Sequence, residues 1–157
     1  MIDTPIGRIE LEAAGGALTR LTMLPARARA ESRRHNELVA ERDAAVLRDA
    51  ERQLAEYFAG RRTRFDLPLK PEGTAFRQRV WRALRDIPFG QTRSYGDLAR
   101  TLKTAARAIG GACGANPIGI IVPCHRVVGG GGAIGGFSGG EGCDTKRFLL
   151  ALESNDR

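Results

Sequence analysis

The chain has 157 residues, 42% of them hydrophobic, and carries 25 Lys and Arg against 18 Asp and Glu for a net charge of +7. That length suits one compact domain or two small ones sharing an interface, and the apolar content supports a core. No stretch approaches the roughly 20 consecutive apolar residues of a membrane helix, and the opening "MIDTPIGRIELEAAGG" lacks the basic start and apolar centre of a signal peptide, so the reading is a cytoplasmic protein without membrane contact.

In chain order, "IGRIELEA" and "ALTRLTML" read as two strands joined at Gly15-Gly16 in a hairpin. A charged helix follows from Asp43 to Phe58, with Val46, Leu47, Leu54, Tyr57 and Phe58 at helical spacing and Gly60 as its stop. "RFDLPLKPEG" reads as a last strand and a linker, placing a domain boundary between Lys70 and Gly73.

Thr74 is the expected N-cap of a helix whose Phe76, Val80, Leu84 and Ile87 share one face and which ends before Pro88. Ser94 with Asp97 resembles a capping box opening "YGDLARTL", and Thr104 is the expected cap of "AARAIGGACG". Helix, tight turn and helix outline a helix-turn-helix. The second of these helices is mostly Ala and Gly with one long basic side chain, Arg107. It suits close backbone approach rather than readout of base edges, or equally packing against its own domain. "GGGGAIGGFSGGEG" follows as a folded hairpin or wing, since Ile134 and Phe137 are apolar, and "TKRFLLALE" closes the chain as a short helix.

From Met1 to Gly73 the sequence has 13 Lys/Arg against 12 Asp/Glu; from Thr74 to Arg157 it has 12 against 6. A basic half beside a neutral one fits a partner that is a polyanion such as DNA or RNA, or simply a basic soluble protein. Cys113, Cys124 and Cys143 form no C-x-x-C pair, and His35 lies far from His125 in a charged helix-like stretch. This spacing argues against a zinc site or a disulfide framework; no metal or cofactor is expected.

The most informative run is "IVPCHRVV", Ile121 to Val128, where Cys124 and His125 interrupt an apolar strand-like segment. A thiol is a strong nucleophile only as thiolate, which needs a base or a positive environment. Adjacent side chains on an extended segment point to opposite faces, so cooperation between the two requires a turn or a bridging water. A packed cysteine beside a chance histidine would read the same way.

Three stretches together carry a resemblance: "FRQRVWRALRDIPFGQTRSYGDLA", "AARAIGGACGANPIGIIVPCHRVVGGGGAIGGFSGG" and "KRFLLALE". In order and content they resemble the O6-alkylguanine-DNA alkyltransferases, which repair DNA by direct reversal; likeness is strong from Thr74 to Glu153 and weaker before it, through "TPIGRIELEA" and "QLAEYFAG". The resemblance implies an α/β chain: a small N-terminal domain (1–70) of antiparallel sheet plus helix, ribonuclease H-like, then a mainly helical, winged helix-turn-helix domain (74–157).

It also implies irreversible, single-turnover transfer of an alkyl group from guanine O6, with thymine O4 a further substrate it allows, to Cys124. His125 would be the base acting through a water, Glu153 its orienting carboxylate and Asn116 a brace of the active-site turn. Tyr95 would donate a proton or hydrogen bond to the leaving base, where negative charge develops. The Ala/Gly helix would enter the minor groove with Arg107 replacing a flipped base. Ser138 would form part of the pocket wall, and Ser94, Ala106 and Gly110 further contacts. The partner implied is double-stranded DNA containing alkylated guanine, met by a monomer that the family likeness allows to assemble cooperatively on DNA.

The chain departs from the family pattern at Phe137, where many relatives carry tyrosine. It is also about two residues shorter between Tyr95 and Arg107 and about two longer at "EGCDT" before Lys146, changes expected to affect the seating of the recognition helix and the pocket rim. Cys113 is read as a packing residue. Competing readings are a non-catalytic lesion-sensing relative, which would lack the acceptor cysteine, a plain helix-turn-helix regulator, and a cysteine hydrolase.

Overall fold

The computed structural model describes residues 1–26 and 40–154; His35 and the stretch around it lie outside them. Three antiparallel strands open the chain, β1 (Ile2–Thr4), β2 (Gly7–Ala14) and β3 (Ala17–Leu24), in the order β1-β2-β3. The Gly15-Gly16 turn joins β2 to β3 with both glycines at positive φ. β1 extends the expected hairpin by pairing Ile2 with Ile9, three residues being too few to show a period. A bulge opposite Glu12 and Ala13 leaves Thr19 unpaired, so Leu18 and Leu21 are both buried despite their odd spacing.

Helix α1 (Glu41–Phe58) covers this face with Ala50, Leu54 and Tyr57. It starts two residues before the expected Asp43, whose carboxylate instead accepts from the Gly16 N–H at 2.7 Å and ties the helix to the hairpin turn. The strand expected in "RFDLPLKPEG" is not formed. Leu18 N–H donates to Pro68 O (2.8 Å) and Lys70 N–H to Leu18 O (2.9 Å), a single bridge at Leu69. Pro68 and Pro71 have no N–H with which to extend it.

In the second half α2 (Ala75–Arg85) is capped by Thr74, whose hydroxyl accepts from Arg77 N–H at 3.2 Å, and it buries Val80, Trp81 and Leu84. Trp81 Nε1 donates to Ala112 O at 2.8 Å, pinning α2 to the helix that carries Ala112. After β4 (Arg93–Ser94), α3 (Tyr95–Leu102) is capped by Ser94, whose hydroxyl accepts from Asp97 N–H at 3.0 Å. Lys103 turns left-handed at φ 55° and α4 (Ala106–Gly114) follows. The expected Thr104 cap is not made: Ala105 is the N-cap of α4, and Thr104 N–H closes α3 by donating to Ala99 O at 2.9 Å.

The glycine-rich stretch is a loop with one tight turn, Gly130–Gly132, rather than a paired hairpin. Positive φ at Gly131, Gly132, Gly135, Gly140 and Gly142 repeatedly breaks any extended run. The strand pairing nearby is instead β5 (Val127–Val128), parallel to β4. Helix α5 (Cys143–Ser154) begins two residues before the expected Thr145.

The two halves meet at the open edge of β3. Leu21 N–H donates to Pro117 O at 2.9 Å beside a bridge to Ile118, so the segment leading to Cys124 docks on the first domain's sheet.

Candidate active site

The apolar run does not stay extended. Pro123 kinks it, and Cys124–Arg126 form one turn of 3-10 helix in which Arg126 N–H donates to Pro123 O at 3.0 Å. Neighbouring side chains on a helical turn diverge by about a third of a revolution rather than a half. Cys124 therefore reaches a cavity while His125 points into the protein.

That cavity, about 740 Å³, is lined by Cys124 together with Tyr95, Ala106, Gly110, Asn116 and Ser138. The expected Arg107 and Ser94 do not line it: Arg107 is exposed on α4, and the Ser94 hydroxyl caps α3. His125 and Glu153 stand behind the cavity, 0% and 2% exposed.

His125 Nε2 lies 2.6 Å from Glu153 Oε2. The same carboxylate accepts from Arg126 Nε (2.7 Å), Arg126 Nη2 (3.1 Å) and the Tyr57 hydroxyl (2.6 Å). Burial opposes ionisation of Glu153, but the hydrogen bonds from His125, Arg126 and Tyr57 outweigh it and hold the carboxyl down at about 2. Burial lowers the His125 pKa, and the Glu153 charge opposes that without reversing it. A neutral ring that donates Nε2–H to Glu153 keeps its lone pair on Nδ1, an atom that is buried and has no hydrogen-bond partner among the described residues.

Burial pushes the Cys124 thiol above its ordinary range, whereas the Asn116 amide, the Lys146 ammonium and the Cys124 backbone N–H pull it down. Asn116 also braces the segment, Nδ2 donating to Val122 O (2.9 Å) and Oδ1 accepting from Ile118 N–H (3.0 Å). Lys146, 0% exposed, donates to Val127 O (2.6 Å) and Gly136 O (3.3 Å) and stands 5.7 Å from the centre of the Tyr95 ring. The site thus combines a buried thiol, a cation and a neutral imidazole with a fixed carboxylate, which is the equipment for making a thiolate on demand.

Tyr57, Arg126, Lys146 and Met23 are additions to the expected set. Arg126 was legible as a cation in an apolar run that must find a buried partner; Tyr57 and Met23 come from the first domain and carry no sequence signal linking them to Cys124. Among the described residues, no group of three or more His, Cys, Asp or Glu could hold a metal ion, and no helix is long and apolar enough to cross a membrane.

Residues 1–71 match the model of the 6-O-methylguanine DNA methyltransferase ribonuclease-like domain, and residues 75–155 that of its DNA-binding domain. A methylated-DNA–protein-cysteine methyltransferase of Mycobacterium tuberculosis is 47% identical over 156 residues, covering 98% of this chain and 90% of the relative. One of Methanosarcina acetivorans is 51% identical over 110 residues, 69% of each chain. A crystal structure of the Mycobacterium tuberculosis protein in complex with DNA superposes with a TM-score of 0.81 at 46% identity, covering 98% of this chain and 90% of that one. An O6-methylguanine DNA methyltransferase of Methanococcus jannaschii gives 0.69 at 35% identity, covering 95% and 89%.

Proposed function

This chain belongs to the 6-O-methylguanine DNA methyltransferase family and has its methylated-DNA–protein-cysteine methyltransferase activity in DNA repair, and from that premise we propose that Cys124 accepts the alkyl group in one irreversible turnover. The observation that carries this reading is the cavity-lining thiol of Cys124 backed by the 2.6 Å His125–Glu153 contact.

In the proposed reaction the thiol proton passes through a water to His125 Nδ1, and the imidazolium so formed is held by Glu153. The resulting thiolate, stabilised by Asn116 and Lys146, attacks the alkyl carbon in line with the bond to guanine O6. A carbon–sulfur bond forms and the carbon–oxygen bond breaks; the leaving guanine takes the Tyr95 hydroxyl proton, the tyrosinate is reprotonated from solvent, and the His125 imidazolium releases to solvent the proton it took from Cys124, so that the net change is one proton moved from thiol to base. A thioether is chemically stable, a thiolate being a poor leaving group from an alkyl carbon, and the protein is consumed.

O6 is out of reach inside a stacked duplex, so the lesion is flipped into the cavity at a cost of a few kcal/mol. The small-residue α4 approaches the minor groove with Ala106 and Gly110, Arg107 fills the space the base leaves, and Ser94 and Ser138 contact the DNA and the flipped base. Thymine O4 presents the same kind of alkyl group to the thiol. The first domain, to Lys70, supports an alkyl-acceptor domain that begins at Thr74. The protein works as a cytoplasmic monomer that can assemble along DNA.

Stoichiometry tests the reading. With excess duplex carrying O6-methylguanine, repair is expected to stop at about one lesion per protein molecule. Continued turnover would point to a hydrolase, and tight binding without any repair to a lesion sensor.

A further inference from the structure

The cavity of about 740 Å³ lies within the roughly 300–1,000 Å³ of pockets that take drug-sized ligands. Among its polar groups, Tyr95, Asn116 and Ser138 suit the edge of a purine, while Arg20 and Thr22 lie on the β3 side. The rest of its lining includes Met23 and Leu21 of β3, which belong to the first domain, with Gly119 and Phe137 beside them.

Met23 is wedged between two glycines. A Cβ on Gly119 would lie 2.7 Å from the Met23 methyl, and one on Gly139 would collide with the same methyl group and lie 3.3 Å from the sulfur. The Phe137 ring borders this spot, 3.2 Å from where a Gly139 Cβ would be. Gly119 belongs to the segment that leads to Cys124, and Gly139 to the glycine-rich wall. Met23 is thus the side chain that closes the apolar gap between them.

The strand is fastened there. Gly140 N–H donates to Met23 O at 3.2 Å, and Ala26 N–H donates to the Glu141 carboxylate at 2.8 Å. Glu141 opens "EGCDT", so this stretch clips the end of β3 to the pocket wall.

We propose that Met23 is a specificity-determining residue: it forms the wall met by the alkyl substituent and sets the largest group that Cys124 can accept. This rests on Cys124 being the acceptor. An unbranched thioether with several rotatable bonds yields to moderately larger groups, whereas a rigid side chain at the same place would not.

The test compares single-turnover transfer from duplexes carrying O6-methylguanine and O6-benzylguanine, read as mass gained by the full-length protein. Met23→Ala is expected to raise the benzyl-to-methyl rate ratio by about tenfold or more, and Met23→Phe to lower it by a similar factor. Ratios within about twofold of wild type in both variants overturn the proposal. If Met23→Ala does not fold, Met23→Phe and Met23→Leu decide it: a lowered ratio for Phe with Leu near wild type supports the wall, and an unchanged ratio for Phe removes it. A wild-type protein that takes up neither group overturns the acceptor reading itself, an outcome distinct from an unchanged ratio.

Discussion

The Tyr57 hydroxyl, on a helix of the first domain, donates to Glu153 Oε2 at 2.6 Å, the same oxygen that His125 of the second domain approaches at 2.6 Å. The carboxylate that orients the imidazole is therefore itself positioned by the neighbouring domain. Sheet edge and phenol together make the first domain a support for the chemistry, beyond its contribution to the core.

Tyr57→Phe removes that donor without opening a cavity. A buried hydrogen bond to a charged group contributes about 1.5–3 kcal/mol, and in a protein of this size its loss lowers Tm by about 3–12 °C. Alkyl transfer is expected to slow, with duplex affinity unchanged. Thermal melts and single-turnover rates check both; a rate equal to wild type would make Tyr57 a stability residue alone.

Glu153→Gln leaves Arg126, 7% exposed, without its counter-charge, and breaking a buried pair from one side costs about 3–5 kcal/mol. At a temperature where the variant is folded, transfer is expected to fall about a hundredfold, the scale of a disabled general base. DNA affinity should stay close to wild type in a binding titration. Equal transfer rates would take Glu153 out of the site.

Acid sensitivity follows from the signs of the shifts. Both His125 and Glu153 have folded pKa values below their unfolded ones, so at low pH the unfolded chain binds more protons and stability falls. Loss begins as pH drops through the ordinary histidine value of 6.5 and steepens between 4.5 and about 2 as Glu153 titrates. Denaturant unfolding at several pH values should show this limb, and in Glu153→Gln the steep part should be shallower. Transfer should likewise need neutral His125, falling on the acid side. An acid limb of equal steepness in the variant would contradict the assignment.

These residues differ in how far the sequence reveals them. Cys124 and His125 stand out because polar, reactive groups interrupt an apolar run, and Glu153 follows from the family likeness of "KRFLLALE". Tyr57 lies 96 positions from Glu153, and no local pattern couples them. The helix starts at Thr74 and Ser94 were readable because a cap is a local hydrogen bond. Thr104 misled because it still belongs to the close of the preceding helix and α4 starts one residue later, with Ala105 at the cap position, and the glycine run misled because positive φ at successive glycines is set by what packs around it. Met23 is hidden for the same reason as Tyr57: its role depends on two glycines far away in the chain.

Arg107→Ala tests the flipping step. Arg107 is exposed on α4 beside Ala106, which lines the cavity. Repair of duplex DNA is expected to slow by at least about tenfold, since the few kcal/mol of unstacking are no longer offset, while reaction with free O6-alkylguanine base stays near wild type. Equal slowing of both substrates would contradict the role.

The most direct measurement of the central claim is the intact mass and peptide map of the protein after incubation with duplex DNA carrying a single O6-methylguanine. One methyl group gained on the peptide containing Cys124, and none in Cys124→Ala, is the predicted result. A methyl group on Cys113 or Cys143, or an unmodified protein bound to an unrepaired lesion, would contradict it.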